Sequence, residues 1–268
     1  MPVLRQRRND KMRVALKFAY DGKSFFGYAK QPNLRTVEGE IINALKKTKI
    51  AYENFQSASR TDRGVSALGN VVAFNTDFKG NVLSALNANT KNIYFYAFAK
   101  VDEDFNPRYA KERWYRYFLF NDGFDVNRMK KASGLFVGIH DFTNFARIEN
   151  RNPVRKINSL KIKEKNNFII LDIRAESFLW NMVRRIVSSL EKVGKKEIRV
   201  DVIKNALESK ERFDSGLAEP EGLILRDVKY DFDFEKDGKV IEKVKQNLSK
   251  RFQSLKSEEN IIEHLLKL

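Results

Sequence analysis

The densest reactive chemistry in the chain is Ser59-Arg60-Thr61-Asp62-Arg63-Gly64-Val65-Ser66-Ala67. Taken alone, Thr61-Asp62 is a turn whose carboxylate caps backbone N–H groups. Two arginines around that carboxylate shift the reading. They favour its ionised form, and their guanidinium forks suit phosphate oxygens beside it. An ionised aspartate in a basic loop is a candidate nucleophile.

Other chemistries are closed to this composition. With no cysteine among 268 residues, disulfides, thiolate nucleophiles, iron–sulfur clusters and sulfur-ligated zinc are excluded, the zinc deaminase signature among them. Only His140 and His264 could serve a histidine-dependent triad or metal centre. Gly22-Lys23-Ser24 resembles the end of a phosphate loop, but Lys17 stands where that motif requires glycine, and no G-x-G-x-x-G occurs. Asp102, Glu103 and Asp104 are the carboxylates a metal-dependent nuclease would need, yet neighbours on an extended strand point to opposite sides.

Charge points to the partner. Lys and Arg number 51 against 35 Asp and Glu, a formal charge of +16, and the pI is about 9.8. Such a charge serves solubility on one reading; on the other, clustered cations gain affinity for polyanions by releasing condensed counterions, which makes nucleic acid a candidate partner. Arg5, Arg7 and Arg8, residues 147–165 and residues 192–199 supply basic clusters, of which a part is ordinary solvated surface. Apolar residues make up 42% of the chain and include 21 Phe, enough for a core. No run approaches the ~18 apolar residues of a membrane span. The basic N-terminus leads into no apolar segment, so a soluble, cytoplasmic protein is expected.

The elements that must position the Asp62 loop follow from periodicity. Residues 13–20 alternate, with Val14, Leu16, Phe18 and Tyr20 on one face, and Asp21-Gly22 turns the chain. Thr36 is an N-cap for a helix carrying Val37, Ile41, Ala44 and Leu45. Extended segments are predicted at 52–59, 70–76, 93–100 and 115–120, and a helix near 126–137. A hairpin pairs 160–163 with 168–175 around Asn166-Asn167. The clearest helix covers 179–193, with Leu179, Met182, Val183, Ile186, Leu190 and Val193 in one stripe and Gly194 as its stop. A helix at 202–207, a strand at 223–230 and a helical tail striped by Ile241, Val244, Leu248, Phe252 and Leu255 complete the chain. Strand pairs joined as hairpins with single helices between them predict an α+β fold with a largely antiparallel sheet.

Seven segments, in order, resemble the TruA family of tRNA pseudouridine synthases. The Asp62 loop is similar to its G/S-R-T-D-x-G-V-x-A signature. Tyr20-Asp21-Gly22 with Phe25, Gly27 and Gln31 resembles its opening motif, and Thr36-Val37-Glu38-Gly39-Glu40 its first helix start. Phe105-Asn106-Pro107-Arg108-Tyr109-Ala110, running to Tyr115-Arg116-Tyr117, and His140-Asp141-Phe142-Thr143-Asn144-Phe145 match next. Residues 178–189 resemble the family's A-F-L-x-x-M-V-R-x-I-V-G helix, and Glu221-Gly222-Leu223-Ile224-Leu225 its E-G-L-x-L close. Three positions depart: Arg63 where bacterial members commonly carry Ala, Trp180-Asn181 where many carry His-His, and Ser188 for the usual Gly. Trp180 and Asn181 are accordingly given no catalytic role.

The resemblance implies the pseudouridine synthase fold, two α/β halves sharing one mainly antiparallel sheet around a central basic cleft. The expected organisation is a basic arm at 1–12, a first half at 13–104 with the Asp loop, a second at 105–235 and a helical tail at 236–268. By carry-over Asp62 is the essential carboxylate, Arg184 its cationic partner and Tyr115 the ring against the target base. Arg60 and Arg63 would bind substrate, with Leu223 as apolar wall. Uridine in tRNA, at positions 38 to 40 of the anticodon arm, would be isomerised without cofactor or metal, by a homodimer. The alternative is a non-catalytic RNA-binding protein of the same fold. An intact Asp62, Tyr115 and Arg184 set argues against it.

Overall fold

A computed structural model describes residues 11–208 and 212–267. The expected basic arm, with Arg5, Arg7 and Arg8, lies almost wholly outside the described residues. The first strand, β1 (Met12–Tyr20), buries Val14, Leu16, Phe18 and Tyr20 on one face, as alternation requires. After a 3-10 turn at Gly22–Ser24 comes α1 (Val37–Lys47). Its N-cap Thr36 accepts the Gly39 amide at 3.2 Å, and Glu38 and Glu40 sit at the positive end of the helix dipole. β2 (Glu53–Ser57) and β3 (Ser66–Thr76) flank the Asp62 loop, followed by α2 (Val82–Asn89) and β4 (Ile93–Val101).

The second half of the chain runs β5 (Glu112–Phe120), α3 (Val126–Gly134), β6 (Gly138–Asp141), β7 (Val154–Lys165) and β8 (Phe168–Ala175). Then come α4 (Met182–Gly194), α5 (Val200–Glu208), β9 (Leu223–Lys229), β10 (Glu235–Lys236) and α6 (Gly238–Leu265).

All these strands join one sheet in the order β10-β4-β1-β3-β9-β5-β8-β7-β6, with β2 added to β3. Every pairing is antiparallel except β3 with β9, whose short parallel register is Ser66↔Ile224 and Ala67↔Leu225. That seam joins the strands of the two halves, and it begins four residues after Asp62. β9 and β2 share one edge of β3, β2 taking the stretch from Val72 to Asn75. The loop between β2 and β3 therefore emerges where the halves meet. β10 crosses back to pair with β4.

Several elements differ from expectation. α2, β6 and β10 carry too few buried residues to write a stripe; α2 buries only Leu83 and Leu86. β7 begins at Val154, ahead of the segment predicted from its hairpin partner. α4 begins at Met182 rather than 179, because Asn181 is left-handed (φ 62°, ψ 0°) and breaks the helical run before it. The tail is helical, but α6 buries none of its residues, and Leu248, Phe252 and Leu255 stand exposed.

Gly22 sets the distance between β1's exit and the Asp62 loop. A Cβ there would stand 2.3 Å from the carbonyl carbon of Val65, while the Gly22 amide donates to Ser66 Oγ at 3.0 Å. Gly22→Ala is expected to push the loop outward. Overpacking against backbone costs about 1–3 kcal/mol, readable as a lowered Tm, with turnover falling alongside.

Candidate active site

The loop between β2 and β3 is pinned along its length. Ala58 donates to Val71 O at 2.8 Å, and Asn70 Nδ2 donates to Ser59 O at 2.9 Å. Tyr28 N donates to Thr61 O at 3.1 Å, and the Tyr20 hydroxyl shares a 2.8 Å hydrogen bond with Thr61 Oγ1. Val65 N closes a turn onto Asp62 O at 3.2 Å. Gly64 sits at φ +86°, where a Cβ would also meet Glu221 Oε1 at 2.9 Å, so glycine alone fits. From the other half of the chain, Arg113 on β5 donates Nε to Ser59 Oγ at 3.1 Å and Nη2 to Ala58 O at 2.9 Å.

These restraints present Asp62 to the first turn of α4. Arg184 Nη1 lies 3.0 Å from Asp62 Oδ2, with the two side chains 12% and 28% exposed. Arg184 is itself fixed: its Nε donates to Ala218 O at 2.8 Å, and Ala218 N donates back to Arg184 O at 3.2 Å. A carboxylate that is partly withdrawn from water favours such a cation beside it. The pair spans 122 positions of sequence and links a loop of the first half to a helix of the second.

Tyr115 stands beside this pair, 8% exposed, its ring edge-on to Phe178 at 5.2 Å. Its hydroxyl hydrogen-bonds Ser59. Burial is the main cause that pushes it up to about 12, and the negative charge of Asp62 acts in the same direction. The phenol therefore stays neutral at physiological pH.

The remaining expected residues scatter around this centre. Arg60 and Arg63 are exposed, and the Arg63 guanidinium lies over the Phe26 ring at 4.5 Å. Leu223 is 5% exposed on β9, opposite Tyr117, within the core. His140 caps the backbone of its own turn through Val137 O, and His264 lies exposed on α6. Among the described residues no group of three or more His, Asp or Glu could hold a metal ion.

Sequence reasoning missed three contributors. Trp180, given no role, donates its indole N–H to Asp62 Oδ1 at 3.1 Å. Its spacing, four residues before Arg184 within the expected 179–193 helix, signals a shared face, although the left-handed Asn181 keeps Trp180 out of α4 and the contact arises from the turn instead. Arg113 and Ser59 carry no such signal, because their contacts exist only once β5 lies against the loop.

A family profile described as tRNA pseudouridine synthase matches residues 132–231. A tRNA pseudouridine synthase A of Pyrococcus abyssi is 46% identical over 246 residues, spanning 90% of this chain and 94% of its own. That of Thermococcus sibiricus is 46% identical over 266 residues, spanning 95% and 99%. Among solved structures, a chain of a Cbf5-Nop10-Gar1 complex aligns with 66% of this chain and 45% of its own, at a TM-score of 0.34 and 12% identity. Identity of this level extends over nearly the whole of both chains, a span wide enough to contain both the Asp62 loop and α4, and the chain belongs to the tRNA pseudouridine synthase A family.

Proposed function

We propose that this protein isomerises uridine to pseudouridine in tRNA, at positions 38 to 40 of the anticodon arm, with Asp62 as the essential carboxylate. The observation that carries this reading is the Asp62–Arg184 pair at the seam of the halves, 3.0 Å apart in a basic surround. In the reaction the N1–C1′ bond breaks, the uracil turns, and C5 bonds to C1′. The C5 hydrogen leaves to solvent and N1 ends protonated, so atoms balance without oxidant, reductant or net water. An ionised carboxylate held by an arginine supplies the nucleophile or base that such a step needs. Tyr115 would stack or support the base, and stacking on an aromatic ring is worth ~1–3 kcal/mol. Extruding a paired nucleotide costs a few kcal/mol, and Arg60 and Arg63 are the exposed cations beside Asp62 to clamp its phosphates.

The reading keeps the division into halves at 13–104 and 105–235 with a tail at 236–268. It includes a cytoplasmic homodimer, supported by the family resemblance and by the uncovered Leu248, Phe252 and Leu255 of α6. No helix among the described residues is long and apolar enough to cross a membrane. The test is an unmodified tRNA transcript tritiated at C5 of uridine. Tritium should appear in water, one equivalent per pseudouridine, and only from transcripts with uridine at 38, 39 or 40. Tight, salt-sensitive binding with no release would overturn the catalytic reading.

A further inference from the structure

Both oxygens of Asp62 have donors of their own: Arg184 Nη1 on Oδ2 at 3.0 Å and Trp180 Nε1 on Oδ1 at 3.1 Å. One donor alone would leave the carboxylate free to turn, since the last torsion of an aspartate is broad and roughly two-fold. Two donors, one on each oxygen, fix its plane. The indole is in turn held twice. The left-handed Asn181 stops α4 short of Trp180, whose carbonyl is thereby free to accept Arg147 N at 2.9 Å. The Arg147 guanidinium then lies over the Trp180 ring at 4.0 Å. Trp180 remains 43% exposed, so this grip is not core packing.

We propose that Trp180 is a positioning residue for the isomerisation, its N–H setting the orientation of the Asp62 carboxylate while Arg147 clamps the indole. The inference rests on the reading of Asp62 as the essential carboxylate. The ionisable groups that meet Asp62 are Arg184 from α4 and Tyr115 from β5, with Arg60 and Arg63 beside it in its own loop. Trp180 is the neutral donor in this set, so it sets geometry without adding charge. A misaimed carboxylate loses transition-state contact and leaves RNA contacts intact. The signature is therefore a fall in kcat with unchanged binding.

Trp180→Phe keeps the ring for Arg147 and removes only the N–H. A hydrogen bond to a charged acceptor predicts a fall in kcat of roughly tenfold to hundredfold, with tRNA affinity by filter binding unchanged. Trp180→His, which restores a ring N–H, should recover most of the loss. A kcat equal to wild type overturns the proposal. A loss confined to KM and tRNA affinity also overturns it, making Trp180 an RNA contact instead. Fluorescence gives a second reading that needs no variant at 180. The chain has two tryptophans, and Trp114 donates instead to Asp172 at 2.6 Å, so Trp114→Phe isolates the emission of Trp180. That emission should shift when Asp62→Leu is added, and an identical spectrum overturns the contact. Activity retained by Asp62→Asn would sink the parent reading while leaving this contact measurable.

Discussion

Asp62→Asn is expected to abolish tritium release, by at least about a thousandfold, as the loss of a unique nucleophile or base does. Its tRNA affinity should hold or rise slightly, because one negative charge leaves a basic surface. The geometry makes the substitution a clean one. An amide oxygen in the place of Oδ1 still accepts the Trp180 indole, so the loop keeps that anchor. The amide nitrogen then faces Arg184 Nη1, donor against donor, and the arginine, 12% exposed, keeps only Ala218 O as a close acceptor. A stability loss of about 1–2 kcal/mol follows, kept low because Asp62 is partly solvated. Asp62→Glu tests position instead of charge. Its carboxylate is displaced by one methylene, and misplacement of about 1 Å costs roughly a hundredfold in rate. If Asp62→Asn turned over at even a tenth of the wild-type rate, the chemistry would have to reside elsewhere in the cleft.

What the sequence made legible is local. β1 writes its alternation in Val14, Leu16, Phe18 and Tyr20, and Thr36 caps α1 with the hydroxyl its position predicts. The β7–β8 hairpin turns at a left-handed Asn166. The Asp62 loop stood out because charge crowded into a turn is costly unless it is used. What the sequence hid is non-local. The pairing of Asp62 with Arg184 came from family resemblance, since no periodicity links residues 122 apart. The parallel seam of β3 with β9 spans only two residue pairs, too short to leave a pattern. α2 and β6 bury too little to differ from loop. The apolar stripe of α6 correctly announced a helix, yet period alone could not say that the helix would leave the stripe uncovered.

Arg113→Met should be among the most destabilising single changes in the chain, and Arg113 is the residue that composition rules read least well. It is 8% exposed on β5, with no carboxylate among its acceptors. Nε donates to Ser59 Oγ at 3.1 Å, Nη2 to Ala58 O at 2.9 Å and to Arg108 O at 2.8 Å, and Nη1 to Glu176 O. A buried cation solvated by carbonyl dipoles is tolerable only because every arm of the planar fork finds a partner. Methionine fills the volume but deprives the buried Ala58 O and Ser59 Oγ of their donor, and removes the part-buried contacts to Arg108 O and Glu176 O as well. At about 1–3 kcal/mol for each unmet group, less some relaxation, the loss is about 3–5 kcal/mol. For a chain of this size that is a fall in Tm of roughly 10 °C or more. Turnover should fall further than folding explains, measured below the new Tm, because Ser59 binds both Arg113 and the Tyr115 hydroxyl and leads the chain into Asp62. Arg113→Lys separates charge from geometry. An ammonium on one stem cannot reach four acceptors contributed by three separate segments, so lysine should recover only a minor part of both losses. A lysine variant with wild-type Tm and turnover would mean that the positive charge, and not the fork, ties the second half of the chain to the Asp62 loop.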